Sequence, residues 1–103
     1  MKRNYMRAIP RAWRDIAKVY VALGDEHRQR ILLTFERRER LNVGQIAGVS
    51  TLSRTAVSHH LRVLRDAGVL SSEKQGKEVY FWINRDFLIG AMETVVHYIR
   101  RNT

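Results

Sequence analysis

The chain has 103 residues, 28% of them charged and 45% hydrophobic, the length and balance of one globular domain. It has no cysteine, which excludes disulfide frameworks, zinc–thiolate sites and thiol nucleophiles. Nineteen Lys and Arg against ten Asp and Glu give a net charge of +9, an excess that serves either solubility through self-repulsion or the neutralisation of nucleic-acid phosphates.

No apolar run reaches spanning length, and the charged start MKRNYMRAIPRAWRD holds no hydrophobic stretch of signal-peptide length, so a soluble, cytoplasmic chain is expected. Trp13, Ile16, Ala17, Tyr20, Val21 and Leu23 recur at three and four, which predicts an amphipathic helix over about 11–23. Pro10 suits its first turn and Gly24 its end. Asp25 is a predicted N-cap for a second helix of about 26–36, with Ile31, Leu32 and Phe35 as its apolar residues and the polar run 36–40 closing it. Val43, Ile46 and Ala47 begin a short third helix that ends in a turn at 48–51. Ser53 caps a fourth, whose buried stripe is Val57, Leu61 and Leu64 and whose stop is Gly68. The period then falls to two: Val69–Lys74 and Lys77–Ile83 flank Gln75-Gly76 as a hairpin. A last helix runs over about 85–101 with Leu88, Ala91, Met92, Val95 and Ile99 on one face. The order ααααββα is a mostly α domain with a two-stranded β wing at about 69–83, a single unit over 1–103.

Two short helices joined by a tight turn and followed by a hairpin make a winged helix-turn-helix. With Val57, Leu61 and Leu64 facing in, Arg54, Thr55, Ser58, His59 and Arg62 face out. All five donate hydrogen bonds, none is acidic, and all precede the first carboxylate, Asp66. Such a face suits the major groove, with donors for phosphate and short hydroxyls and Arg for base edges. Ser53 at the cap adds the positive end of the helix. The competing reading is a protein-interaction module, against which stands the absence of an aromatic centre on this face. Serines 50, 53, 58, 71 and 72 fall at caps, turns or the outward face, and no nucleophile–base–orienter set follows from their spacing, so no enzyme is expected.

The patterns ALGDxxRxxIL at 22–32 and LSxxxVSHHLxxLxxAGV at 52–69, with the basic hairpin KQGKEVYF at 74–81, resemble the ArsR/SmtB family of bacterial repressors over roughly 16–99. The resemblance implies a homodimer built on the first and last helices, seated on an imperfect palindrome at its own promoter until an inducer releases it. It places Arg54, Thr55, Ser58 and His59 at base-reading positions, with Lys74 and Lys77, and Gln75 between them, on a wing that grips the flanking backbone. Periodicity supports dimerisation less sharply: Trp13 and Tyr20 on the first helix, and Leu88, Met92, Val95 and Ile99 on the last, exceed what a small domain easily covers. The basic segment Lys2–Arg14 either touches DNA or extends the first helix.

The resemblance also implies where a metal inducer would bind. A cysteine site near the third helix is excluded. A second kind of site needs D-x-H at the start of the last helix and H-x-x-H or H-x-x-E near its end, shared across the dimer. The matching positions here are Asn84-x-Asp86 and His97-x-x-Arg100. Only Asp86 and His97 are ligands, so an intact metal site is not expected, and Arg100 of one subunit is expected to pair with Asp86 of the other. Glu93 and His97, four apart, read as a surface pair. His59 and His60 diverge by about 100° on a helix; His59 faces outward, His60 bonds within the domain, and His27 is a surface histidine. No cofactor is expected.

Overall fold

A computed structural model describes residues 3–103; Lys2, at the head of the basic N-terminal segment, lies outside the described residues. The elements run α1 (Ile16–Leu23), α2 (Glu26–Thr34), β1 (Leu41–Asn42), α3 (Val43–Val49), α4 (Arg54–Asp66), β2 (Leu70–Gln75), β3 (Glu78–Ile83) and α5 (Arg85–Asn102). The first helix begins later than its periodicity predicts. Residues Arg11–Trp13 form a 3-10 turn after Pro10, with Trp13 N–H bonded to the Pro10 carbonyl at 2.9 Å and Arg14 N–H to that of Arg11 at 3.2 Å. Asp15 makes no side-chain cap, so nothing there favours the wider α spacing until Ile16 meets the core.

The α1–α2 corner is closed from the second helix. Asp25 accepts from the backbone of His27 at 2.8 Å and of Arg28 at 3.1 Å, as its cap role predicts. Arg28 Nε donates to the carbonyl of Ala22 at 2.7 Å and Gln29 Nε2 to that of Leu23 at 2.6 Å, which satisfies the last carbonyls of α1. α2 ends at Thr34 rather than 36 because Phe35 leaves the helix with ψ 131°, and the extended backbone turns its ring into the core.

A strand the sequence does not announce follows. Two residues, Leu41 and Asn42, carry no readable period, yet they pair antiparallel with Phe81 and Tyr80 and extend the hairpin to a three-stranded sheet in the order β1-β3-β2. Asn42 also caps α3, accepting from Gln45 N–H while its own N–H donates to the Gln45 side chain, both at 2.9 Å. Ser53 caps α4 through Ala56 N–H at 3.1 Å.

α4 ends as its glycine predicts. Gly68 has φ +83°, Val69 N–H bonds the Leu64 carbonyl and Gly68 N–H that of Arg65, both at 2.9 Å, which is a Schellman closure. Gly68 is required for space as well, because a Cβ there would lie 2.6 Å from the Phe87 ring of α5. In the hairpin the register Gln75↔Glu78 leaves Gly76-Lys77 as the two-residue loop, one residue later than the predicted Gln75-Gly76. Gly76, at φ +62°, supplies the left-handed first position that such a loop needs. The core joins Val19, Ala22, Ile31, Phe35, Ile46, Val57, Leu61, Leu64, Ala67, Val69, Leu70 and Phe81. Every element but α3's partner strand β1 and the last helix thus contributes a buried side chain; α5 packs on this core only through half-buried residues such as Phe87, Leu88 and Met92. Among the described residues no helix is long and apolar enough to cross a membrane.

Candidate nucleic-acid interface

The outward face of α4 is assembled by the inward one. Val57, Leu61 and Leu64 are fully buried, and Arg54, Thr55, Ser58, His59 and Arg62, together with Val43 of α3, line one shallow surface hollow. All five expected residues therefore share a surface; Ser53 stands exposed at its N-terminal end, its hydroxyl engaged by the cap. No carboxylate lines the hollow, and among the described residues the side chains of Arg54 and Arg62 are in no ion pair, whereas Arg65, one turn on, holds Asp66 at 3.3 Å. The donors on this face stay available for an external acceptor.

Arg54 lies against a glycine the sequence reading passed over. A Cβ on Gly44 would stand 3.1 Å from Arg54 Nη1 and 3.5 Å from Asn42 Oδ1, so the guanidinium rests against the start of α3 and would have to give slightly to a larger residue there. The signal was present in the sequence: a glycine in the first turn of a short helix, where alanine would hold the helix better, marks a close approach.

His60 is anchored within the domain, as expected. Arg28 Nη1 lies 3.2 Å from its Nδ1, so that nitrogen accepts and the ring is neutral with its proton on Nε2. Burial pushes His60 below the ordinary imidazole value, Arg28, His59 and His27 add to the lowering, and Asp25 opposes it. His27 is not an isolated surface residue: it is half-buried with its ring 5.9 Å from that of His60. Arg28 thus bridges the α1 carbonyls, α2 and α4, a role that no local pattern announces. Asp25 is held below the usual carboxylate range chiefly by the Arg28 amide.

The wing residues divide by the sheet's alternation. Lys74, opposite Val79, shares the face of Phe81; Gln75, opposite Glu78, falls on the other face with Glu73, Tyr80 and Trp82; Lys77 stands at the tip. All three are exposed, and of the two in the strand Lys74, but not Gln75, is on the face that Phe81 buries in the core.

The expected interface residues are also sorted. Trp13 is half-buried edge-on to Tyr98 of its own α5, with ring centroids 5.4 Å apart. Leu88 and Met92 pack on the core, and Val95 is half-buried. Tyr20 and Ile99 remain open, and on α5 Ile89, Val96 and Tyr98 are exposed as well. The spacing of Ile89, Met92, Val96 and Ile99 is three, four, three, the seam period of paired helices; Ile89 and Val96 are members the sequence reading missed, because the stripe of α5 is wide enough to have two sides.

Of the positions matching a metal site, Asn84 and Asp86 are engaged within the chain. Asn84 Nδ2 donates to the Gly68 carbonyl at 3.1 Å, which occupies its side chain with the α4–β2 junction. Asp86 is exposed and paired with Arg85 at 2.8 Å. Asp86 and His97 are eleven residues apart on one helix, about 16 Å at 1.5 Å per residue, so they do not meet within one chain; among the described residues of the chain no group of three or more potential ligands gathers.

Comparison with known proteins places this geometry. The profile described as "Bacterial regulatory protein, arsR family" matches residues 25–72, from the Asp25 cap into β2. A cadmium resistance transcriptional regulatory protein CadC homolog of Staphylococcus aureus is 37% identical over 65% of this chain and 55% of its own length. The CadC protein of Listeria innocua is 32% identical over 82% of this chain and 71% of its own. The chain thus spans about half the length of the first relative and over two thirds of the second. Among solved structures, a homodimeric winged helix-turn-helix DNA-binding domain of Mycobacterium bovis, a possible ArsR-family transcriptional regulator, superposes with a TM-score of 0.66 over 89% of this chain and 90% of that one, at 22% identity; at that identity the likeness is one of fold.

Proposed function

Because the chain belongs to the arsR family of bacterial regulatory proteins, which are transcriptional regulators and not enzymes, we propose that it is a homodimeric repressor that binds an imperfect palindrome in its own promoter, in the cytoplasm, without an intact metal-sensing site. The observation that carries this reading is the acid-free donor face of α4, with Arg54 and Arg62 free of ion pairs among the described residues and Lys77 exposed at the wing tip. A two-fold dimer along the α5 seam sets two such faces about one DNA turn apart. In this reading Arg54, Thr55, Ser58 and His59 read base edges, Ser53 and Arg62 hold phosphate, and the wing grips the flanking backbone through Lys74 and Lys77, with Gln75 beside them. Arg100 of the partner subunit joins Arg85 around Asp86 and fills the place of a metal with fixed cations.

The experiment is fluorescence anisotropy on DNA from upstream of the gene, against random duplex, over a salt series and with excess Zn²⁺. Tight, sequence-selective, salt-sensitive binding indifferent to zinc is expected. Equal affinity for random duplex overturns sequence-specific repression. Release by zinc overturns the blocked site and favours a metal-responsive repressor using Asp86 and His97.

A further inference from the structure

We propose that the cleft between the α2–β1 loop and the end of β3 binds a small planar organic anion, of the class of aromatic carboxylates. The cleft has a volume of about 730 Å³, inside the roughly 300–1,000 Å³ range of small-molecule sites. Its floor is apolar: Phe35, the half-buried Trp82 indole and Ile83. Its walls bring guanidinium groups to that floor. Arg40 stacks over the Trp82 ring at 4.0 Å from the centroid, Arg85, paired with Asp86 at 2.8 Å, enters from the start of α5, and Arg37 and Arg38 complete the rim.

Arg37 and Arg38 are unspent, since neither side chain has an ion-pair or hydrogen-bond partner among the described residues. Glu36 and Glu39 of the same loop also line the cleft, but they form no ion pair with these arginines. Glu39 Oε1 accepts from the Glu36 backbone N–H at 3.1 Å. Arg40 does hold Glu73 at 3.0 Å, but both side chains are about half exposed, so that pair is weak and open to exchange with a ligand carboxylate. The backbone points the same way. Arg38 is the one non-glycine residue among those described with a positive φ, at 62°. A glycine or asparagine would make this turn with less strain, and the strain is held at the rim of the cleft, beside a free guanidinium.

These parts suit one ligand chemistry. A planar fork of donors matches a carboxylate bidentately, and an indole face beside aliphatic and phenyl surface takes a flat ring. DNA phosphate is a poorer match by position. The wing tip is Gly76-Lys77, and Trp82 and Ile83 lie four and five residues beyond Glu78, about 15 Å along the strand at 3.4 Å per residue. The loop before Leu41 runs on past Trp82 in that same direction. The proposal rests on the cleft alone and stands whether or not the α4 face binds DNA.

Isothermal titration calorimetry of the full chain with salicylate tests it, with benzyl alcohol as the neutral ring and inorganic phosphate as the anion without one. Salicylate should bind saturably in the millimolar range or tighter, and more tightly than either control. Arg38→Gly should weaken it by about tenfold or more through loss of a charge-assisted fork, while the melting temperature stays level or rises as the left-handed strain is relieved. Trp82→Leu should weaken salicylate and leave phosphate unchanged. Equal binding of benzyl alcohol, equal binding of phosphate, absence of saturable salicylate binding, or unchanged affinity in Arg38→Gly overturns the assignment. A shallower salt slope of Arg38→Gly on random duplex also overturns it, by making Arg38 a phosphate contact.

Discussion

In α4 the apolar stripe Val57, Leu61 and Leu64 is fully buried inside its own chain, whereas α5, with 18 residues against 13, has no side chain buried to that degree. Both helices are amphipathic. α4 lies between α1, α2, α3 and the sheet, so its apolar face is closed on every side and only its donor face remains open. α5 lies on the outside, pressing Phe87, Leu88 and Met92 inward and leaving Ile89, Val96 and Ile99 uncovered. The two open faces differ in what could cover them. The α4 face is polar and without acids, which calls for an anion; the α5 face is apolar at seam spacing, which calls for a second helix. A helix's exposed side thus reports its partner more plainly than its buried side does.

The contrast can be broken from either end. Leu61→Ala should cost about 2–5 kcal/mol of stability, the range for emptying a packed core site, read by chemical denaturation. A cost near zero would show that α4 is not the centre of the core. Ile99→Glu, on the exposed seam, should leave the monomer folded and weaken dimerisation by roughly 2–4 kcal/mol if the seam is a hot spot; analytical ultracentrifugation showing an unchanged dimer would place the interface elsewhere. Arg54→Ala should weaken specific DNA binding by roughly 1–3 kcal/mol and relax one base position. Gly44→Ala sharpens that test: it favours the helix, displaces only the guanidinium, and should shift preference at the same base position in the wild type but not in an Arg54→Ala background. Lys77→Ala should weaken all sequences alike and lower the salt slope by roughly one unit, a change absent if the wing stands clear of the backbone.

The smallest effect is one of pH. His60 is neutral in the fold and held below its ordinary value of 6.5 by burial. Between the lowered value and 6.5 the unfolded chain binds a proton that the folded chain does not. Stability therefore falls as the pH drops through that window and levels off beneath it. Protonation also removes the Nδ1 acceptor that Arg28 uses. Melting temperatures measured downward from neutral pH should decline and then flatten, and His60→Gln should reduce the decline; an identical decline in that variant would assign it to other groups. Asp25 acts lower, giving stability above its ordinary 3.8 that is lost as pH falls through its lowered value.

Local chemistry explains what was legible in the sequence. Asp25, Ser53 and Gly68 are caps whose roles follow from residue type and place, and the structure shows each one bonded in that role. The period of three and four on α4 named its buried stripe and so its outward donors. What escaped were features set by residues far apart in the chain: the β1 strand, which exists only because β3 offers it an edge, the Arg28–His60 bridge spanning 32 positions, and the second side of the α5 stripe. The Gly44 clearance was written in the sequence as a glycine in a helix, but its meaning lay in where Arg54 folds back.

Residue type and hydrophobic period were enough for the winged helix-turn-helix, the caps at Asp25, Ser53 and Gly68 and the acid-free outer face of α4, because these act within a few residues, whereas the start of α1, the end of α2 and the hairpin loop fall elsewhere than predicted. Which apolar residues remain uncovered, that Arg40 stacks on Trp82 and which histidine is tied to which helix came only from the fold, because burial and charge pairing depend on what the folded chain brings alongside.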